Sequence, residues 1–172
     1  ESQVHRQVVR KRAEAREIVV NPAVQLRYVE VEEPDMHDPS GDFQRLQKAL
    51  SEQWQIEGAT IDLPTLARLQ PALRKGGWKV TCAVHQSHNG APPRILKVWP
   101  GFEDSDLFGL AVDLGSTTIA AHLCNLRTGD VVASSGVMNP QIRFGEDLMS
   151  RVSYSMMNEG GAAEMTRAVR EG

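Results

Sequence analysis

The 172-residue chain has only two cysteines, Cys82 and Cys124, widely spaced. That excludes the dense disulfide framework of a small secreted domain. Both lie in apolar strand-like stretches and read as buried thiols of a reducing compartment, which points to the cytoplasm. Charge of one sign is not in excess: 19 Lys and Arg stand against 22 Asp and Glu, a net charge of −3. A general nucleic-acid binder would carry a basic surplus, so nucleic acid is not an expected partner. No apolar run approaches the roughly 20 residues of a membrane helix, so no membrane partner is expected either. Residues 1–17 are charged and polar and do not read as a secretory signal. An initiating Met is also missing: Glu1 opens the chain, and Gly172 ends it directly after a helical stretch. The expectation is a fragment of something longer.

What is present falls into an arm and two different patterns. Residues 1–17 carry Arg6, Arg10, Lys11, Arg12 and Arg16, with Glu14 and Glu17 breaking the charge, and read as an exposed arm or interdomain linker. Residues 18–31 hold one or two short strands, since Val29 and Val31 alternate with Glu30 and Glu32. An acidic loop follows from Glu32 to Asp42. Phe43, Leu46, Leu50 and Trp54 recur at helical spacing, which predicts an amphipathic helix over 42–55 capped by Ser40 or Asp42. A second helix is predicted over 63–75, capped by Asp62, with Pro64 in its first turn and Gly76-Gly77 at its end. Pro71 is expected to break or restart it. Trp78, Val80, Cys82 and Val84 alternate as a strand, Asn89-Gly90 turns, and Arg94–Trp99 returns as its partner. Residues 19–104 thus read as a small α+β domain without a catalytic set, with Trp54, Trp78 and Trp99 in its core.

After the loop 100–106 the pattern changes. Leu107–Val112 is almost continuously apolar, as in a strand of a sheet covered on both faces. The turn Asp113-Leu114-Gly115-Ser116-Thr117-Thr118 leads into a second apolar strand, Ile119–Cys124. Arg127–Asp130 makes a hairpin loop, Val131–Ser135 a third strand, and Asn139–Gly145 a loop. Leu148, Val152 and Met156 mark one helix, and Met165, Ala168 and Val169 another.

The Asp-x-Gly-hydroxyl-hydroxyl-hydroxyl turn carries the chemistry. Binding phosphate needs backbone N–H groups lining a concavity, and Gly115 permits close approach of the main chain. Ser116, Thr117 and Thr118 add hydroxyl donors. Asp113, at a strand end, suits a hydrated magnesium ion on a nucleotide, because magnesium keeps waters and takes few carboxylates. A P-loop is excluded: there is no Gly-Lys-Ser/Thr, and a strand rather than a helix follows. The bland alternative is an ordinary hairpin turn, where Asp and Gly serve conformation alone. Elsewhere, His85 and His88 lack a third metal ligand and read as turn or surface residues. His122 reads as a satisfied core residue, and Met156 and Met157 as helix packing.

The turn and its flanking strands resemble the acetate and sugar kinase/heat-shock chaperone/actin superfamily. The closer resemblance is to the reductive activators of corrinoid proteins. It is carried by Glu1–Gln7, by Asp42-Phe43-Gln44-Arg45-Leu46, by Phe108–Thr118 and by Asn139–Arg151, and is loose over residues 50–100. That resemblance implies three segments: residues 1–18 as a linker after an absent ferredoxin domain, 19–104 as an α+β middle domain, and 105–172 as the first, truncated part of an actin-like (ribonuclease H-like) ATPase domain. The fold class implied is α/β and α+β. The activity implied is ATP hydrolysis driving an electron from an iron–sulfur cluster onto cob(II)alamin, restoring cob(I)alamin in a methyl-transfer protein. The cofactors implied are ATP and magnesium, with a two-iron two-sulfur cluster in the missing domain and none here. The partners implied are a corrinoid protein and a second copy in a homodimer. Carried over, Asp113 is the catalytic residue facing magnesium through water, and Gly115, Ser116, Thr117 and Thr118 line the phosphates. In Asn139–Arg151, either Gln141 or Asp147 lies near the cleft, or the stretch is a plain helix start with Arg151 paired to Glu146 or Asp147. The fragment alone is expected to be inactive. The alternatives are another ATPase or small-molecule kinase of the superfamily, and a non-enzymatic docking or dimerisation module.

Overall fold

The computed structural model describes residues 19–87 and 89–172, so the expectations for residues 1–18 and for His88 lie outside the described residues. The chain is a mixed α/β protein in which Val20–Leu107 forms one compact unit and Phe108–Gly172 lies in a second. No helix among the described residues is long and apolar enough to cross a membrane.

In the first unit, β1 (Val24–Glu30), α1 (Asp42–Trp54), β2 (Thr60–Ile61), α2 (Leu63–Lys75), β3 (Lys79–His85) and β4 (Arg94–Pro100) follow in order. The sheet order is β1-β3-β4-β2, with antiparallel pairs except for β2 beside β4. Val29 stands opposite Val80, so alternate residues of the two strands share the face on which α1 and α2 lay Leu46, Leu50, Leu69 and Leu73. Those four leucines are at most 1% exposed. Cys82 lies in this core, and burial pushes its thiol up to about 12.

Several local expectations change. Gly41, not Ser40 or Asp42, is the N-cap of α1, and its N–H donates to the Gln44 side chain at 2.9 Å. Pro71 neither breaks nor restarts α2, which runs through it. It sits on the exposed side, where water can satisfy the carbonyl it abandons, while Leu69, Ala72 and Leu73 are buried around it. Asp62 caps α2 through Thr65 N–H at 2.9 Å, as the sequence suggests. Only Trp78 of the three tryptophans is a core residue. Trp54 is 39% exposed, donates its indole N–H to the Tyr28 carbonyl at 2.7 Å and carries the Arg27 guanidinium on its face. Trp99 is half-buried under Lys97. The two-residue β2 is too short for any periodic signal.

In the second unit, β5 (Phe108–Leu114), β6 (Thr118–Asn125) and β7 (Val131–Met138) form an antiparallel meander. A 3-10 helix (Pro140–Phe144), α3 (Leu148–Met157) and α4 (Gly161–Glu171) follow. Asn125 builds the β6–β7 loop. Its side-chain oxygen accepts from Arg127 N–H at 2.8 Å, and Gly129 closes the loop at φ 81°. β7 runs on to Met138, three residues past the segment its pattern suggested. Among the described residues nothing covers both faces of this strand: Leu110, Val112 and Leu114 are 66%, 57% and 61% exposed. The helices pack on the 3-10 segment and on each other, with Val169 and the C-cap Gly172 of α4 lining a groove beside the sheet. For the same reason Leu148, Val152 and Met156, although helical, are exposed, and Ala168 is the apolar residue that α4 buries.

Candidate functional site

The turn expected to carry chemistry joins β5 to β6. Leu114 pairs with Ile119, which leaves Gly115, Ser116 and Thr117 between the strands. Gly115 N–H donates to the Thr118 carbonyl at 3.0 Å. A Cβ on Gly115 would lie 2.6 Å from that carbonyl oxygen, so no other residue fits without moving the backbone. Ser116 and Thr117 are exposed and Thr118 is half-buried. Asp113 pairs with Ala120, and Thr118 lies two residues from Ala120 on the same strand. Asp113 and Thr118 therefore share one face of the sheet. The Asp113 carboxylate is exposed rather than trapped at a buried strand end, and makes no hydrogen bond or ion pair among the described residues. The groove lined by Val112, Leu114 and Ile119 belongs to the opposite face.

The segment after β7 grips this turn. Asn139 is 3% exposed. Its backbone N–H donates to the Thr117 carbonyl and its side-chain Nδ2 to the Gly115 carbonyl, each at 2.8 Å. Its Oδ1 accepts from Gln141 N–H at 2.9 Å and so caps the 3-10 helix. Sequence reasoning left Asn139 without a role. An Asn before a Pro is the residue pattern of a helix cap and could have marked the 3-10 helix in what reads from the sequence as a loop, but nothing in the spacing points to the contact with Gly115.

The other singled-out residues are placed apart from the turn. Gln141 donates Nε2 to the Met165 carbonyl at 3.2 Å, tying the 3-10 helix to α4. Asp147 caps α3 by accepting from Ser150 N–H at 2.7 Å, and that bond holds its carboxyl below the ordinary range. Arg151 is 4% exposed and donates Nε to the Gly145 carbonyl at 2.8 Å, not to Glu146 or Asp147. His122 is half-buried, not a core residue, and its Nδ1 lies 2.8 Å from Ser134 Oγ on the facing position of β7. His85 is half-buried at the end of β3. Among the described residues no three His, Cys, Asp or Glu side chains gather closely enough to hold a metal ion.

Residues 13–105 match the family described as the RACo linker region, and residues 108–172 match the RACo middle region. The corrinoid activation enzyme RamQ of Eubacterium limosum is 32% identical over 63 residues, covering 36% of this chain and 11% of that protein. A solved structure described as a reductive activator for corrinoid, iron–sulfur protein superposes with a TM-score of 0.77 at 30% identity, covering 90% of this chain. The chain spans 24% of that protein's length. The two matched regions abut where the two structural units divide, and the chain belongs to the RACo family, of which it carries the linker and middle regions.

Proposed function

We propose that this chain is part of an ATP-dependent reductive activator of corrinoid proteins and contributes its first phosphate-binding turn. Phe108–Gly172 is then the opening of an actin-like ATPase domain, whose remaining strands and helices cover the apolar sheet face. A two-iron two-sulfur cluster on a preceding ferredoxin domain supplies the electron, and the cob(II)alamin of a corrinoid protein receives it. The protein works in the cytoplasm.

The observation that carries this reading is the close approach at Gly115, between a carboxylate on β5 and three successive hydroxyl residues. The donor set suits a nucleotide with its magnesium ion. Ser116, Thr117 and Thr118 offer hydroxyl and N–H donors to phosphate oxygens, and Asp113 offers a hard oxygen to the hydration shell of magnesium. Bound there, magnesium would offset phosphate charge. The chain's own part is to hold the donors in place and to keep an exposed carboxylate on the same face. Gln141 acts from behind, by holding the 3-10 helix that carries the turn's support against α4.

Asp113→Ala in the full-length protein tests this. The expected outcome is loss of both ATP hydrolysis and ATP-dependent cob(II)alamin reduction, with cluster content unchanged by its visible absorption. Unchanged rates in both assays would remove Asp113 and the turn from the mechanism.

A further inference from the structure

We propose that Asn139 is the positioning residue of the phosphate turn, setting the direction in which its peptide groups face; this rests on the reading of Asp113–Thr118 as a nucleotide-phosphate site. Asn139 is buried and holds two carbonyls of the turn at once, Gly115 through its side chain and Thr117 through its backbone. Every peptide bond described is trans. In a planar trans peptide the N–H points opposite to the C=O. The Gly115 carbonyl shares its peptide with Ser116 N–H, and the Thr117 carbonyl shares its peptide with Thr118 N–H. Drawing both carbonyls onto Asn139 therefore turns both N–H groups away from it. Alternate N–H groups directed together form the kind of concavity that takes an anion.

A capping role alone does not account for this arrangement. Capping the 3-10 helix uses only Oδ1, which accepts from Gln141 N–H. The Nδ2 bond reaches Gly115, 24 residues earlier in the chain, and does nothing for the helix it starts. Cap and clamp are carried by different atoms, so substitution can separate them. Serine keeps an uncharged capping oxygen but is one bond too short to reach Gly115. Losing one ordered hydrogen bond that fixes a donor pair corresponds to about a five- to tenfold loss of affinity.

The test is steady-state ATP hydrolysis by the full-length protein carrying Asn139→Ser, beside Asp113→Ala. The expected result is a KM for ATP raised about five- to tenfold, a kcat changed far less, and a melting temperature close to that of the parent. A merely structural residue would shift the melting temperature and the active fraction, and so kcat, without moving KM. A parental KM in Asn139→Ser, with Asp113→Ala inactive, overturns the role of Asn139 and leaves the turn's function standing. Full activity in Asp113→Ala overturns the phosphate site itself, and the proposal with it. If Asn139→Ser fails to fold, the isosteric Asn139→Asp decides in its place. It keeps the cap and loses the Nδ2 donor but adds charge beside the turn, so KM is measured at high ionic strength, where that charge is screened: a KM still raised supports the proposal and a parental KM overturns it.

Discussion

Arg45 is the fourth residue of α1 and only 3% exposed, on the face where the helix meets the core. Burying a guanidinium is costly unless its N–H groups are met, and here each nitrogen has a partner. Nε donates to the Ser40 carbonyl at 3.2 Å, Nη1 to that of Glu33 at 3.3 Å and Nη2 to that of Asp38 at 2.7 Å. Nη1 also lies 3.0 Å from the Asp38 carboxylate. The acidic loop from Glu32 to Asp42 is therefore folded around one cation. Arg45→Met keeps the aliphatic stem and removes that anchor, and is expected to destabilise the protein by about 2–4 kcal/mol in urea unfolding followed by tryptophan fluorescence. Arg45→Lys should recover only part of this, because a single ammonium cannot serve three diverging carbonyls. A loss below about 0.5 kcal/mol, the range of ordinary surface changes, would mean that the loop gains nothing from the guanidinium.

Pro71 poses the same question for a whole helix. α2 continues across it although the proline removes an N–H and leaves the Ala67 carbonyl without its helical donor. The helix tolerates this because Leu69, Ala72 and Leu73 bury against the sheet, and apolar burial of that kind outweighs a defect of about 3 kcal/mol. Pro71→Ala restores the bond on an exposed face and should stabilise the protein by about 1–3 kcal/mol, less whatever the unfolded chain regains in freedom. A melting temperature that does not rise would show that the ring contributes packing that alanine cannot replace. The contrast explains what could be read from the sequence at this scale. Periodicity located α1, α2, β3, β4 and the three strands of the second unit, because each repeats a local rule many times. It misjudged Pro71 and the placing of Trp54 and Trp99, because those depend on what lies across the fold. The turn at Asp113–Thr118 was legible from its residue types. Its support was not, since Asn139 reaches Gly115 through a contact between segments with no shared pattern.

Across the molecule the two units differ in how much apolar surface they bury. Val20–Leu107 contains the continuous core that includes Val29, Leu46, Leu50, Leu73, Val80 and Ile95, each at most 1% exposed. In Phe108–Gly172, Ala168 is the one apolar residue with a side chain that is fully buried among the described residues, while Leu110, Val112, Leu114, Met156 and Met157 stand open. Burial of apolar area is the main favourable term in folding, and it has to offset an entropy cost that grows with every ordered residue. The first unit meets that requirement on its own, and the second, as it stands here, does not. Expressed separately, residues 20–107 should unfold cooperatively in urea, with Trp78 reporting the transition from inside the core. Residues 108–172 alone should bind a hydrophobic dye such as ANS and lose their strand signal gradually, without a cooperative step. Linking them to the rest of the full-length chain should abolish the dye binding, because the open sheet face would then be covered. Cooperative unfolding of residues 108–172 in isolation, with no dye bound, would show that the meander and its two helices are self-sufficient and that the exposed leucines of β5 await a separate partner.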